Sequence, residues 1–374
     1  MHIFFLAAAL VTILAQPANA IPYFARKYGV TCSQCHLVPA KLNEYGEGFV
    51  AGGYRAPELV KRRTWPFALW LSGRSESLPG DQAADDYRAY PNRVELISGD
   101  AVTSWLSYFV EWRALSNESR GNGTLRDRSG RFEDLFLVMS HGNAELTIGQ
   151  FRLLGQVDVS RRLSLSEPLV FSSGLPGTGT GTRREIGLRG FSSAGRSPAV
   201  RASWTIPRAP DTRWVTAVSI PVPGELSIPL TDSARVQASN EIEFAAKGVF
   251  FETFVRRGLS SLGAHLFYDE SDRFLATAIA TVSRGALHLG AALGVIKSGD
   301  VATGRWSLEA EAFPHRYFAI GARLENQAND NVRRAFPPYV NLHFPGTRYT
   351  VRLTVEQRVQ SDRNATLLEL GTVF

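Results

Sequence analysis

Cysteine is almost missing from this 374-residue chain: only Cys32 and Cys35 occur, so at most one disulfide can form and no disulfide framework holds the fold. Lysine is nearly as scarce. It stands only at 27, 41, 61, 247 and 297, and the other 36 basic residues are arginine. Methionine occurs only at 1 and 139. Long apolar runs are absent beyond the first, Ile3 to Leu14, which is shorter than the ~20 residues a spanning helix needs. Any lipid-spanning structure must then be a closed β-barrel, because lipid offers no partners to unpaired backbone groups. H-E-x-x-H, G-x-S-x-G and P-loop patterns are absent too, which removes the common hydrolase and nucleotide chemistries. Gly177-Thr178-Gly179-Thr180-Gly181 has a phosphate-loop look, but no helix follows it, and a flexible loop is the simpler reading.

What is present begins with a leader. The apolar run is followed by Pro17-Ala18-Asn19-Ala20, an A-x-A pattern that predicts secretory cleavage after Ala20, although the first residues carry His2 and no lysine or arginine. The net charge of +6 suits nucleic acid, anionic lipid headgroups or anionic solutes. Export removes nucleic acid from that set. A solvated arginine-rich surface or lumen is the plainer account of the rest.

Cys32-Ser33-Gln34-Cys35-His36 is C-x-x-C-H, the attachment signature of c-type haem. Two thiols add to the two haem vinyl groups, and the two residues between them set the sulfur separation. The adjacent histidine then lies under the iron as proximal ligand. The competing reading is a thiol-redox pair, but such pairs sit in a βαβ setting, and none surrounds this one. The segment from 21 to 64 is too small to bury a haem with its own core. The rest of the chain must cover it.

From Trp65 onward short segments alternate apolar and polar with the period of a strand. In Tyr349 to Glu356 one face is Tyr349, Val351, Leu353 and Val355, and the other Thr350, Arg352, Thr354 and Glu356. In Leu106 to Trp112 one face is Leu106, Tyr108, Val110 and Trp112, and the other carries Ser107, Phe109 and Glu111. Short turns (99–100, 140–143, 284–285, 314–315, 345–346) alternate with longer connections (75–87, 114–130, 152–183, 297–304, 327–335), as in outer-membrane barrels. The chain ends on a strand closing with Phe374, and Trp65, Trp70, Trp105, Trp112, Tyr268, Phe313 and Tyr317 fall where interfacial girdles would lie. The fold expected is all-β, a transmembrane antiparallel barrel of 16–18 strands, with residues 222–260 leaving the count open. An even count puts both barrel ends in the periplasm, so the haem segment enters from that side as a plug. The domains expected are a leader (1–20), a monohaem segment (21–64) and a barrel (65–374).

The run Ile21-Pro22-Tyr23-Phe24-Ala25-Arg26-Lys27 before the motif, with Pro39, Leu42, Gly46, Phe49, Gly53 and Tyr54 after it, resembles the fused outer-membrane cytochrome–porin family, whose best-known members are iron oxidases of iron-oxidising bacteria. The motif match spans residues 21–54, and the likeness in layout spans the mature chain. Lys27 stands where the family usually has Gln, Asn43 where it has Pro, and Glu47 where it has Arg. Thr147 to Phe151, the long connection after it and Arg184 to Leu188 are also similar to phosphate-selective porins.

The resemblance implies one covalent haem c in the outer membrane of a Gram-negative bacterium. It also implies electron transfer from an extracellular donor, with Fe(II) the first candidate, to a periplasmic carrier such as a soluble cytochrome. If iron is the donor, the chain is an Fe(II) oxidase. The alternative is an anion-preferring porin whose haem segment is a plug or sensor. Residues 37–64 hold no Met or second His, so a distal ligand must come from the barrel. On the strand 286–296, Leu287, Leu289, Ala291, Leu293 and Val295 form the lipid face, and His288 points inward with Gly290, Ala292 and Gly294 near the periplasmic end. His288 is the distal ligand expected, with His343, His265 and Met139 behind it. Asp269, Glu270 and Asp272 form an acidic outer turn able to attract a metal cation.

Overall fold

The computed structural model describes residues 22–374 except 39–40, 57–58, 60, 78–86, 120–124, 156–162, 166–167, 172–173, 176–185, 188–195, 210, 223–225, 227, 229–247, 270–272, 299–300, 328–331, 346–349 and 361–362. The expected leader, the Gly177 to Gly181 loop, Arg184, Glu185, Leu188, Glu270 and Asp272 lie outside the described residues.

Short elements come first: a helix Pro22–Tyr28, a 3-10 turn Cys32–Gln34, β1 (His36–Val38), β2 (Lys41–Leu42) and a helix Glu44–Ala51. Long strands follow: β3 (Ala68–Ser77), β4 (Tyr87–Ala101), β5 (Leu106–Ser119), β6 (Leu125–Asp127), β7 (Arg131–His141) and β8 (Ala144–Arg152). After β9 (Gly174–Leu175) and β10 (Ile186–Gly187) come β11 (Arg196–Ala209), β12 (Thr212–Pro221), β13 (Gly248–Arg257), β14 (Ser260–Asp269) and β15 (Arg273–Arg284). The chain finishes with β16 (Leu287–Ser298), β17 (Val301–His315), β18 (Phe318–Gln327), β19 (Val332–Pro345), β20 (Thr350–Gln360) and β21 (Arg363–Val373).

Sixteen of the described strands close an antiparallel ring: β3, β4, β5, β7, β8 and β11 to β21. β21 returns to β3 with Val373 opposite Trp70 and Leu367 opposite Glu76. β6 only extends the outer end of β5, and β9 pairs with β10. Both ends of the ring lie on one rim, where tight turns join β7 to β8, β13 to β14 and β15 to β16. All three turns have a glycine in the left-handed region, Gly142 (φ 58°), Gly258 (φ 54°) and Gly285 (φ 57°).

Alternation decides which side chains meet lipid. Leu137, Ile148, Val200, Leu262, Leu293, Leu308 and Leu324 are exposed on the outer face. Charged partners such as Glu95, Glu252, Arg323 and Glu369 are buried on the inner one. Trp105, Trp204, Trp214 and Tyr317 stand exposed near the tight-turn rim. Phe313 departs from the expected girdle. It shares the parity of the buried Glu311, so it turns inward and packs with Val38 and Tyr339.

Two connections also depart from expectation. Ser298 pairs with Val301, and Gln327 pairs with Val332, so the stretches 297–304 and 327–335 are mostly strand. The ladder continues there because alternation does: Ala302 faces out while Thr303 is buried.

Candidate functional site

The motif is built by short-range contacts. Pro22 fits the first turn of its helix, where no N–H is needed. Gly29, at φ 64°, ends that helix, and Val30 N–H returns to the Ala25 carbonyl at 3.1 Å. The 3-10 turn brings Cys35 N–H to the Cys32 carbonyl at 3.1 Å, so both thiols share one turn. Asn43 then ties this turn to the second helix. Its Oδ1 accepts from Gly46 N–H at 2.9 Å, and its Nδ2 donates to the Ser33 and Gln34 carbonyls, each at 3.1 Å. The helix approaches so closely that a Cβ on Gly46 would stand 2.1 Å from the Cys35 carbonyl oxygen. Cys32 and Cys35 form no disulfide, and burial beside Cys32 pushes the Cys35 thiol up to about 11. Thiol oxidoreductases depress the pKa of this group instead.

The barrel holds the segment at several points around its inner wall. Lys27 pairs with Asp100 of β4, which also accepts from Tyr23 Oη at 3.0 Å. Lys41 pairs with Glu311 of β17 at 2.6 Å, and Glu47 with Arg256 of β13 at 2.6 Å. All three residues named as family departures (Lys27, Asn43, Glu47) therefore make a defined polar contact. Apolar packing adds to this. Tyr54 stacks between Phe24 (5.6 Å between centroids) and Phe109 of β5 (5.0 Å), and Phe136 and Phe151 continue the file along the wall.

The connection after β8 is not wholly external, as the sequence suggested, but contributes buried residues to the lumen. Leu163 and Leu154 are buried, and so are Val170 and Phe171. The Leu163 carbonyl accepts from Asn341 Nδ2 (3.1 Å) and Arg352 (2.8 Å), Ser164 Oγ from Arg323 (2.7 Å), and Leu165 N–H donates to Glu356 (2.5 Å). Glu311 joins the two inserts, since it binds Lys41 and also accepts from Leu163 N–H at 3.4 Å. No sequence periodicity announces this insertion, because backbone groups meeting distant side chains carry it.

His36 opens β1, and the next two residues, Leu37 and Val38, pack against Phe313, Ala319, Phe336 and Tyr339 on β17 to β19. His288 faces inward as expected. Its Nδ1 lies 2.5 Å from Ser283 Oγ, and its ring lines a cavity with Lys41, Leu42 and Glu47. His265 packs on Phe250 at 5.3 Å. Met139 shares the parity of the exposed Leu137, opposite to the buried Val138, and so faces outward. His343 of β19 is completely buried, beside His36 and Arg352.

A covalent haem fits these residues: two thiols in one turn that form no disulfide, a histidine directly after them, and an apolar wall beside it. No family model matches the chain, and no curated protein matches it. Solved structures do. An anion-selective porin from Comamonas acidovorans aligns over 82% of this chain and 98% of its own, at 12% identity and a TM-score of 0.50. Salmonella typhi OmpF, in complex with daunomycin, aligns over 82% of this chain and 97% of its own, at 7% identity and a TM-score of 0.53. At such identities the likeness is one of fold. The barrel has the fold of outer-membrane porins.

Proposed function

We propose that this porin-type barrel resides in a Gram-negative outer membrane and carries electrons from an extracellular donor, with Fe(II) the first candidate, to a periplasmic carrier such as a soluble cytochrome. The observation that carries the reading is the seat of Cys32 to His36 inside the ring at the tight-turn rim, fixed by the Lys41–Glu311 and Glu47–Arg256 pairs. Short turns and both strand ends mark that rim as periplasmic by the habit of outer-membrane barrels. Haem bound there supplies a one-electron couple whose potential follows its axial ligands and burial. Cys32 and Cys35 would anchor it by thioethers, and His36 would supply a nitrogen ligand to the iron. Leu37, Val38, Phe313 and Phe336 keep water from that side.

One observation favours a second reading, an anion-preferring porin with an N-terminal plug: the fold is shared with an anion-selective porin, and arginines line the lumen. Against it, Arg74, Arg113, Arg201 and Arg323 each have a carboxylate partner, and two inserts occupy the lumen.

Sealed proteoliposomes with defined orientation separate the two. Fe(II) or another impermeant reductant added on the long-loop side is expected to reduce the haem. If only reductants on the tight-turn side do so, and small anions cross freely, the porin reading takes its place.

A further inference from the structure

We propose that His343 is the second axial ligand of the haem anchored by Cys32, Cys35 and His36. This rests on the haem reading above and extends it to a residue more than three hundred positions away in sequence.

Three observations converge. First, the His343 side chain is fully buried on the inner face of β19, and neither ring nitrogen has a hydrogen-bond partner among the described residues. Buried polar groups without a partner are rare, and imidazole is the commonest protein ligand for metals of this kind. Second, His36 and Arg352 are the groups that bear on it electrostatically, so the two imidazoles are neighbours across the plug–barrel boundary.

Third, the wall around His343 is already engaged with the motif. Asn341, two residues along the same face, holds Leu163, and Tyr339, two further, packs in the cluster that includes Leu37 and Val38. The His343 backbone is pinned as well, its N–H donating to the Tyr317 carbonyl at 2.8 Å in the rim turn. A ligand on a strand held this way keeps its position without help from the cofactor.

The other inward histidines sit elsewhere. His288 engages Ser283 and lines a cavity with Lys41, Leu42 and Glu47. His265 also has both ring nitrogens buried without a hydrogen-bond partner among the described residues, but its ring stacks on Phe250, which packs with Leu153, Leu154, Val170 and Phe171 of the lumen insert and not with Leu37 and Val38. Neutral imidazole donates its nitrogen lone pair to iron, and no electron or atom is exchanged in forming that bond. Plug and barrel are then joined through the metal as well as through the ion pairs.

The full chain, purified in detergent with its haem, provides the test. Haem staining after denaturing electrophoresis establishes covalent attachment first. If the wild-type chain carries none, the haem reading and this inference fall together. With attachment established, the haem is expected to be six-coordinate and low-spin, and His343→Gly is expected to turn it high-spin, with excess imidazole restoring the low-spin spectrum. His343→Met should remain low-spin with a raised midpoint potential, since Met ligation raises it. This arm decides the matter if the glycine variant does not fold, as judged by circular dichroism. His288→Ala should leave spectrum and potential unchanged. A low-spin His343→Gly with unaltered potential, or a high-spin His288→Ala, overturns the assignment while leaving covalent haem intact.

Discussion

Gly46 and Tyr54 show how single residues set the site. A methyl on Gly46 would collide with the Cys35 carbonyl at 2.1 Å, and both partners are backbone. Neither can swing aside as a flexible side chain would. Gly46→Ala is expected to loosen the motif turn by about 1–3 kcal/mol, the usual range for overpacking. Limited proteolysis should cut the 21–64 segment faster, with less haem staining, and an unchanged digestion rate would refute this. Tyr54 follows Gly53 in a second consecutive left-handed conformation, at φ 62°. Substituting Gly there relieves roughly 1–2 kcal/mol of strain. It also removes a buried ring stacked on two others, about 3–5 kcal/mol by analogy with aromatic truncations. The ring therefore decides the sign, and Tyr54→Gly should lower the unfolding midpoint. At this scale the turn that holds Cys32 and Cys35 was legible in the sequence because its contacts are local. The partners of Lys27 and Glu47 were not, since Asp100 and Arg256 lie 73 and 209 positions away.

Among elements, the lumen insert after β8 depends on the same glutamate as the plug. Glu311 accepts from Lys41 and from the Leu163 backbone, and its side chain is fully buried. Removing one partner of such a pair leaves the other uncompensated. A double-mutant cycle of Lys41→Ala and Glu311→Ala is expected to give a coupling of about 0.5–3 kcal/mol, the range for contacting residues. Additive effects on the unfolding midpoint would show that the pair does not couple the two parts. Strands were the legible elements. The count was not, because Leu226 and Ile228 alternate like a strand yet hydrogen-bond laterally to Phe132 and Gly130, at the far end of β7. Periodicity reports which faces are apolar and does not name the partner strand.

For the whole molecule, alternation, rim turns and the terminal aromatic sufficed to indicate a closed barrel, because lipid admits few other solutions. Of the two segments that contact the inner wall, the one before β3 was singled out in the sequence by its motif and small size, and the insert after β8 not at all. With two inserts in the lumen, single-channel conductance is expected to be far below that of an open porin of similar size. Deleting residues 22–56 should raise it severalfold. Equal conductance in both forms would mean that the plug does not occlude the path.

The short stretch joining the plug to β3 has one more consequence. Residues 55–67 span at most about 45 Å when fully extended, so the plug never diffuses away from the rim. A tether of that reach holds the segment at an effective concentration on the order of millimolar. Docking contacts too weak to capture a free segment are then enough to keep this one seated. A segment released from those contacts returns to them without a bimolecular search.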